Sequence, residues 1–276
     1  NTALAVGPNI DYVAVRTYNP YTGDKSTVVC AKALLGSLFN SKAADLTLSD
    51  YKPGDKLVPF EIVGEWKGSD LAGMKYEQLI PWVKPDREAF RVIPGDFVTT
   101  EDGTGIVHIA PTFGADDAKV AKLNDIPALM LLDKDGNDRP MVDLTGKYFK
   151  LEDLDPKFVS EYVNVDLYKD YAGRYVKNAY DDKLTDADAT LDVDISVMLK
   201  QQNLAFRIEK HVHNYPHCWR TDKPVLYYPL DSWFIRTTVV KDRMIELNET
   251  INWKPQSTGS GRFGKWLENL QDWNLS

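Results

Sequence analysis

The sequence predicts an α+β fold, with a β-barrel-like core and surrounding helices over residues 1–205 and a mixed helix and strand segment over 206–276. Three observations predict it. Short apolar or alternating runs recur between clusters of turn-forming residues, which is the pattern of many short strands. Few stretches sustain a helical period. From Leu204 onward the composition turns aromatic and partly basic, and five of the seven tryptophans (Trp219, Trp233, Trp253, Trp266, Trp273) fall there, which places the boundary near 205.

Residues 9–18 alternate, with Val13, Val15 and Thr17 on one face and Tyr12 and Ala14 on the other, and read as a strand. Asn19 to Gly23 is dense in turn formers and predicts a hairpin into a second strand, Ser26 to Cys30. Leu34, Leu35 and Leu38 give residues 31–39 the pattern of a short amphipathic helix. Lys56 to Trp66 reads as a strand that Pro59, lacking a ladder donor, confines to an edge or a bulge. Gly68 to Tyr76 reads as a loop. Arg91 to Val98 is strand-like around a Pro94-Gly95 kink, and Ala128 to Leu132 is a buried apolar strand. The acidic turn from Asp133 to Asp138 lacks the bidentate acid of a calcium loop, since the twelfth position is Leu144. Leu191, Ile195, Met198 and Leu199 fall on one face of a helix.

The centre of the chain is Gly-Thr-Gly-Ile-Val-His-Ile-Ala-Pro-Thr-Phe-Gly-Ala-Asp-Asp, residues 103–117. Gly103 and Gly105 flank Thr104 and allow a sharp turn close to a ligand. Ile106, Val107 and Ile109 form a buried strand in which His108 is the one ionisable side chain, and Pro111 ends it. A helix begins at Gly114 to Asp117, with acids in its first turn complementing the macrodipole. A turn, a strand and a helix start are thereby expected to bring Thr104, His108, Asp116 and Asp117 near one another. On spacing alone the bland reading stays open: a satisfied core histidine and a pair of capping acids.

A formal net charge of −8 and a pI near 5.1 exclude a general nucleic-acid-coating surface and confine any RNA contact to a patch. No apolar run is long enough to cross a bilayer, and no signal-peptide pattern opens the chain. Cys30 and Cys218, far apart, make no disulfide scaffold and suit a reducing cytosol, so a cytoplasmic location is expected. The opening at Asn1 without an initiator methionine and the close at Ser276 are what a fragment of a longer protein is expected to look like.

The string GTGIVHIAPTFGADD closely resembles the signature of the editing domain inserted into isoleucyl-tRNA synthetases, class I aminoacyl-tRNA synthetases. NTALAVGPNIDYVAV, EWKGSDLAGMKYE, IPGDFVTTEDGTG, YPHCWRTDKPVLYYPLDSWFI and TGSGRFGKWLENLQDWNLS extend the resemblance, in order, over nearly the whole chain. The resemblance implies the Val/Ile/Leu-tRNA synthetase editing fold and hydrolysis of valyl-tRNA that carries the isoleucine tRNA. It implies as partners the 3′ end of that mischarged tRNA and the rest of the parent synthetase, and no membrane. No cofactor is implied for editing; ATP and Mg²⁺ belong to the parent's catalytic domain. Asp117 matches the aspartate that binds the α-ammonium, with Asp116 the capping acid. His108 matches the histidine that lines the amino-acid pocket. Thr104, with Gly103 and Gly105, is placed beside the ester and the terminal adenosine. Thr99, Thr100 and Asp102 lead into that loop, and Ala110 and Phe113 complete the substrate-binding set. No residue has the spacing of a covalent nucleophile, so direct attack by an oriented water is expected, assisted by the neighbouring ribose hydroxyl.

The family's Thr-rich peptide would lie just before Asn1, so an incomplete pocket is expected in this stretch. His211, His213, His217 and Cys218 cluster as HVHNYPHC, but their spacing is unlike that of a zinc site, and packing rather than metal binding is expected. Two alternatives remain. One is the editing domain of a sister synthetase for valine or leucine; the valine enzyme usually carries lysine where His108 stands. The other is a non-catalytic module that positions tRNA.

Overall fold

A computed structural model describes residues 1–276 with the exception of 186, 211 and 276. Its class is mixed α+β. The chain divides into two compact units, Asn1–Tyr228 and Pro229–Ser276.

In the first unit, β1 (Ala3–Val6) is the middle strand of a three-stranded sheet. β2 (Asp11–Tyr18) is the middle strand of a second sheet, flanked antiparallel by β3 (Lys25–Ala31) and β4 (Glu61–Lys67). The one-turn helix α1 (Leu35–Leu38) follows β3, and α2 (Gly68–Leu71) follows β4. β5 (Arg91–Pro94) runs parallel to β1, and β6 (Ile106–Ile109) antiparallel to it. Helix α3 (Ala115–Leu123) comes next, then the small hairpin of β7 (Leu131–Leu132) and β8 (Asp138–Arg139), and the helices α4 (Pro156–Tyr162), α5 (Val165–Tyr168) and α6 (Leu191–Gln201). Among the described residues these strands form separate open sheets, and none closes into a ring.

Alternation decides what β1 separates. Ala3 and Ala5 lie with Ile93, Ile109 and the helical Ala121 in one apolar cluster. Val6 joins Tyr12, Ala31, Leu34 and Leu71 in another, which welds the first sheet to the second. A third cluster gathers Trp82, Val83, Leu131, Met141, Leu154 and Tyr168, with Ile195 of α6 against it. In β2 both Val13 and Val15 and, on the opposite side, Tyr12 and Ala14 are buried, because the strand is sandwiched between two clusters.

Several elements differ from the sequence reading. The strand expected from Lys56 begins only at Glu61; Pro59 stands before it and its carbonyl accepts from the Thr17 hydroxyl at 2.9 Å. β4 is an edge strand, and the β2–β4 register shifts at Ala14 and Val15. The expected loop at 68–76 opens with α2, because the Asp70 carboxylate caps the Lys67 amide at 3.1 Å and Leu71 is buried. The expected strand at 128–132 is reduced to β7. β1 itself has no counterpart in the sequence reading, since a four-residue run of small apolar residues carries little period of its own. The division expected at 205 also differs from the one between the compact units. Residues 205–208 are tied to the β2–β3 hairpin and to α1 through Asn19 Nδ2 to the Ala205 carbonyl (2.9 Å), the Ile208 amide to the Tyr21 hydroxyl (2.8 Å) and Arg207 to the Ser37 carbonyl (2.9 Å).

The second unit holds β9 (Phe234–Ile235), α7 (Lys241–Glu249), α8 (Ser257–Ser260), α9 (Arg262–Glu268) and β10 (Trp273–Asn274), with β9 and β10 antiparallel. Buried Asn248 pins it: its amide donates to the Gly259 carbonyl at 2.9 Å and its oxygen accepts from Trp253 Nε1 at 2.9 Å.

The Asp133 turn is a structural device. Its carboxylate accepts from the amides of Asp135 (3.0 Å) and Asn137 (2.8 Å) and from Arg139 Nε (2.7 Å). Those bonds, led by the Asn137 amide, hold its pKa down at about 2. A depressed carboxylate contributes stability that is complete above its unfolded pKa, about 3.9, and is lost as pH falls through the folded value. Asp133→Ala is therefore expected to destabilise the chain at pH 6 and to converge with the parent between about pH 4 and pH 2, as measured by urea denaturation across that range.

Candidate functional site

The 103–117 stretch folds as a turn, the edge strand β6 and the start of α3. Gly105 has φ +73°, and a Cβ there would stand 2.5 Å from the Ala31 Cβ. The absent side chain lets the two backbones meet: the Ala31 amide donates to the Thr104 carbonyl at 2.8 Å. Buried Tyr12 locks the same corner, its hydroxyl donating to the Gly105 carbonyl at 2.6 Å and accepting from the Gly7 amide at 2.9 Å. Gly103, φ +66°, faces open space. The Thr104 hydroxyl is used locally, accepting from the Ile106 amide at 3.3 Å.

At the other end of β6, the Ala110 amide donates to Asp117 Oδ2 at 2.8 Å. That bond spans the Pro111–Gly114 turn and fixes the half-buried carboxylate of Asp117 at the first turn of α3. Gly114 is the N-cap and no side chain caps the helix, so Asp116, expected as the capping acid, is instead an exposed first-turn residue. His108 pairs across the sheet with Leu4, is exposed, and its ring makes no hydrogen bond among the described residues. It is therefore not the core histidine, bonded to a carbonyl, that the bland reading described.

The expected site residues fall into two groups. His108, Ala110, Phe113 and Asp117 gather where β6 hands over to α3. Asp102, Gly103, Thr104 and Gly105 sit at the opposite end, with exposed Thr99 and half-buried Thr100 leading in. Gly105 and the first residues of β6 stand between the Thr104 turn and His108, so the two groups lie at the two ends of one strand. Asp102, Gly103 and Thr104 line a concavity of about 730 Å³ with Leu38, Phe39, Leu204 and Phe206.

Two residues outside the sequence-derived set lie near this end of the sheet. Asn1 precedes Thr2, whose amide donates to the Ile109 carbonyl at 2.9 Å at the Ala110 end of β6. Tyr76 donates to Asn1 Oδ1 at 3.4 Å, and burial pushes its phenol up to about 12. No local signal marked either residue, because both reach the site through sheet pairing. Among the described residues no group of histidine, cysteine and carboxylate side chains is arranged to hold a metal ion; His211 of the HVHNYPHC run lies outside them. Cys30 is buried and Cys218 half-buried, and both are free thiols. No described helix is long and apolar enough to cross a membrane.

A Gly-rich turn stapled under an edge strand, leading to an aspartate at a helix start, is thus the candidate site. The model of the tRNA synthetases of class I (I, L, M and V) matches residues 25–276, and the chain belongs to that family. It is 72% identical over 276 residues to the isoleucine--tRNA ligase of Bacteroides fragilis, covering all of this chain and 24% of that protein. The corresponding ligase of Porphyromonas gingivalis is 66% identical over 277 residues, again 100% of this chain and 24% of that one. The chain spans about a quarter of the length of these curated relatives, 24%. Among solved structures, an editing domain of P. knowlesi cytosolic leucyl-tRNA synthetase aligns with 83% of this chain and 80% of its own, at 16% identity and a TM-score of 0.36.

The corner at Gly105 makes a stability test. Gly105→Ala is expected to cost about 1–3 kcal/mol, because it forces a positive φ on alanine and drives a methyl into Ala31. Tyr12→Phe is expected to cost a similar amount, about 1–3 kcal/mol, by leaving a buried amide and carbonyl unsatisfied. Equilibrium urea unfolding measures both.

Proposed function

We propose that this chain is the editing part of an isoleucine--tRNA ligase, hydrolysing the ester of valyl-tRNA(Ile). One observation carries the proposal: in a chain of this family, Asp117 has one carboxylate oxygen tied to the Ala110 amide at 2.8 Å, which orients the other for a cation beside an exposed, uncommitted histidine. An α-ammonium placed on Asp117 sets the aminoacyl ester along the end of β6. Backbone amides and the carboxylate hold it there, and a water attacks the carbonyl carbon; the C–O bond to the ribose breaks, and the ribose hydroxyl leaves with the proton. The chain supplies no covalent nucleophile to this step, and the neighbouring ribose hydroxyl of the substrate assists it. Names of the relatives support isoleucine rather than valine or leucine as the parent's amino acid.

The need for such a site is physical. Valine and isoleucine differ by one methylene, worth about 1–3 kcal/mol in an apolar pocket, the established figure for this amino-acid pair, so errors survive the first selection. On this reading His108 restricts which side chain is accepted, and the Asp102–Gly105 turn, with Thr99 and Thr100, receives the terminal nucleotide. The tRNA, the remainder of the synthetase with its ATP and Mg²⁺ chemistry, and a cytoplasmic location belong to the same proposal.

Deacylation of mischarged tRNA tests it. Asp117→Ala is expected to abolish hydrolysis of valyl-tRNA(Ile), because loss of one member of a desolvated ion pair costs about 2–5 kcal/mol, more than tenfold in rate. His108→Ala is expected to keep valyl hydrolysis and to begin hydrolysing isoleucyl-tRNA(Ile). Wild-type editing by Asp117→Ala would sink the ammonium assignment, and an untouched isoleucyl ester with His108→Ala would make the histidine structural.

A further inference from the structure

The HVHNYPHC run, to which the deacylase reading gives no part, leads into a tight loop over residues 215–225. The Cys218 amide donates to the Lys223 carbonyl at 2.9 Å, the Asp222 amide to the Cys218 carbonyl at 2.8 Å and the Val225 amide to the Pro216 carbonyl at 2.9 Å. The Tyr215 hydroxyl closes the base of the loop on the Val225 carbonyl at 2.9 Å, and Lys223 ties it to Asp182 at 2.6 Å. The Cys218 thiol meets the Thr221 hydroxyl and the backbone of Arg220 and Thr221, so it is used inside the loop. What the loop presents outward is Trp219, 85% exposed, with the Arg220 guanidinium 4.6 Å from the centroid of its ring.

A lone exposed ring would be unremarkable, but here rings and cations alternate. The Lys177 ammonium lies 4.2 Å from the centroid of Tyr215, and His213 and His217 stand edge-on to the same ring, at 5.9 Å and 6.3 Å. Between 212 and 225 the one carboxylate is Asp222, against Arg220, Lys223 and two histidines. Among the described residues Lys223 is paired with Asp182, whereas Lys177 and Arg220 lie over rings and in no ion pair. On a chain of net charge −8, uncompensated cations of this kind are the local exception that a phosphate contact requires. The centres of protein–protein contacts are depleted in charge, while surfaces for single-stranded nucleic acid combine cations for the phosphates with rings for the bases.

We propose that residues 215–225, with Lys177, form an RNA-contact surface, Trp219 stacking on an unpaired base and Arg220 and Lys177 meeting the flanking phosphates. The inference rests on the reading above only for the identity of the RNA, tRNA(Ile). It adds a contact made by residues that belong to neither end of β6.

The test is filter retention of uncharged tRNA(Ile), its 3′-terminal nucleotides removed so that the β6 site has nothing to hold, on the full chain across a salt series. Trp219→Ala is expected to weaken binding about tenfold, and Trp219→Phe, which keeps a ring, to stay within about threefold of the unsubstituted chain. Lys177→Gln is expected to flatten the slope of log K against log salt by about one. Asp222→Asn removes the loop's one carboxylate and suits its φ of +55°; it is expected to tighten binding about threefold, a gain that unfolding cannot imitate. Equal affinity in the unsubstituted chain, Trp219→Ala and Lys177→Gln overturns the assignment and leaves the loop to a protein partner. Failure of the unsubstituted chain to retain this RNA at the lowest salt overturns it as well. A chain that binds as expected but hydrolyses no valyl ester keeps the RNA surface and loses the deacylase reading. Trp219→Ala binding like the unsubstituted chain, while Asp117→Ala abolishes hydrolysis, does the reverse.

Discussion

The contact on which the first unit depends is the approach of Gly105 to Ala31. One sheet carries the candidate site and the other carries the β2–β3 hairpin, and they meet where a single Cβ would leave only 2.5 Å of separation. The missing side chain permits the Ala31–Thr104 backbone bond, and the Tyr12 hydroxyl closes the corner from within by serving Gly7 and Gly105 at once. Buried polar groups of this kind cost most when left unpaired, so the corner has one stable arrangement. Everything further along β6, including the orientation of His108 and the Ala110 amide that holds Asp117, inherits its position from there.

Packing rather than charge supplies the rest. The ion pairs that flank β2, Arg16–Glu61, Lys32–Glu65 and Lys67–Asp11, are all about half exposed, and pairs of that kind contribute little. They blunt the edges of β3 and β4 against pairing with another chain. The stabilising terms are the four apolar clusters, one around β1, two on either side of β2 and one around Trp82.

Asp117 shows how a local pattern acquires a role. Two acids in the first turn of a helix look alike in sequence, and both satisfy the macrodipole. The fold distinguishes them: Asp116 points into solvent, while Asp117 is turned inward and takes the Ala110 amide. The same holds for His108, which sits in an apolar run yet is exposed on β6.

By itself the sequence determined whatever depends on neighbours along the chain. The β2–β3 hairpin, the edge position of the strand after Pro59, the Gly-Thr-Gly turn, the strand through His108, the helix that follows and the amphipathic helix at Leu191 are all written in turn formers and short-range periodicity. The motif string likewise marked the family. Tertiary structure alone decided that β1, a run too short to announce itself, pairs in parallel with β5 and becomes the centre of a sheet. It decided that β2 is buried on both faces, that the site residues separate to the two ends of β6, and that Asn1, Leu129 and Met141, distant in the chain, line one cavity. These are contacts between segments far apart in the chain, and their free energy depends on which surfaces meet, a quantity that no local window of residues contains.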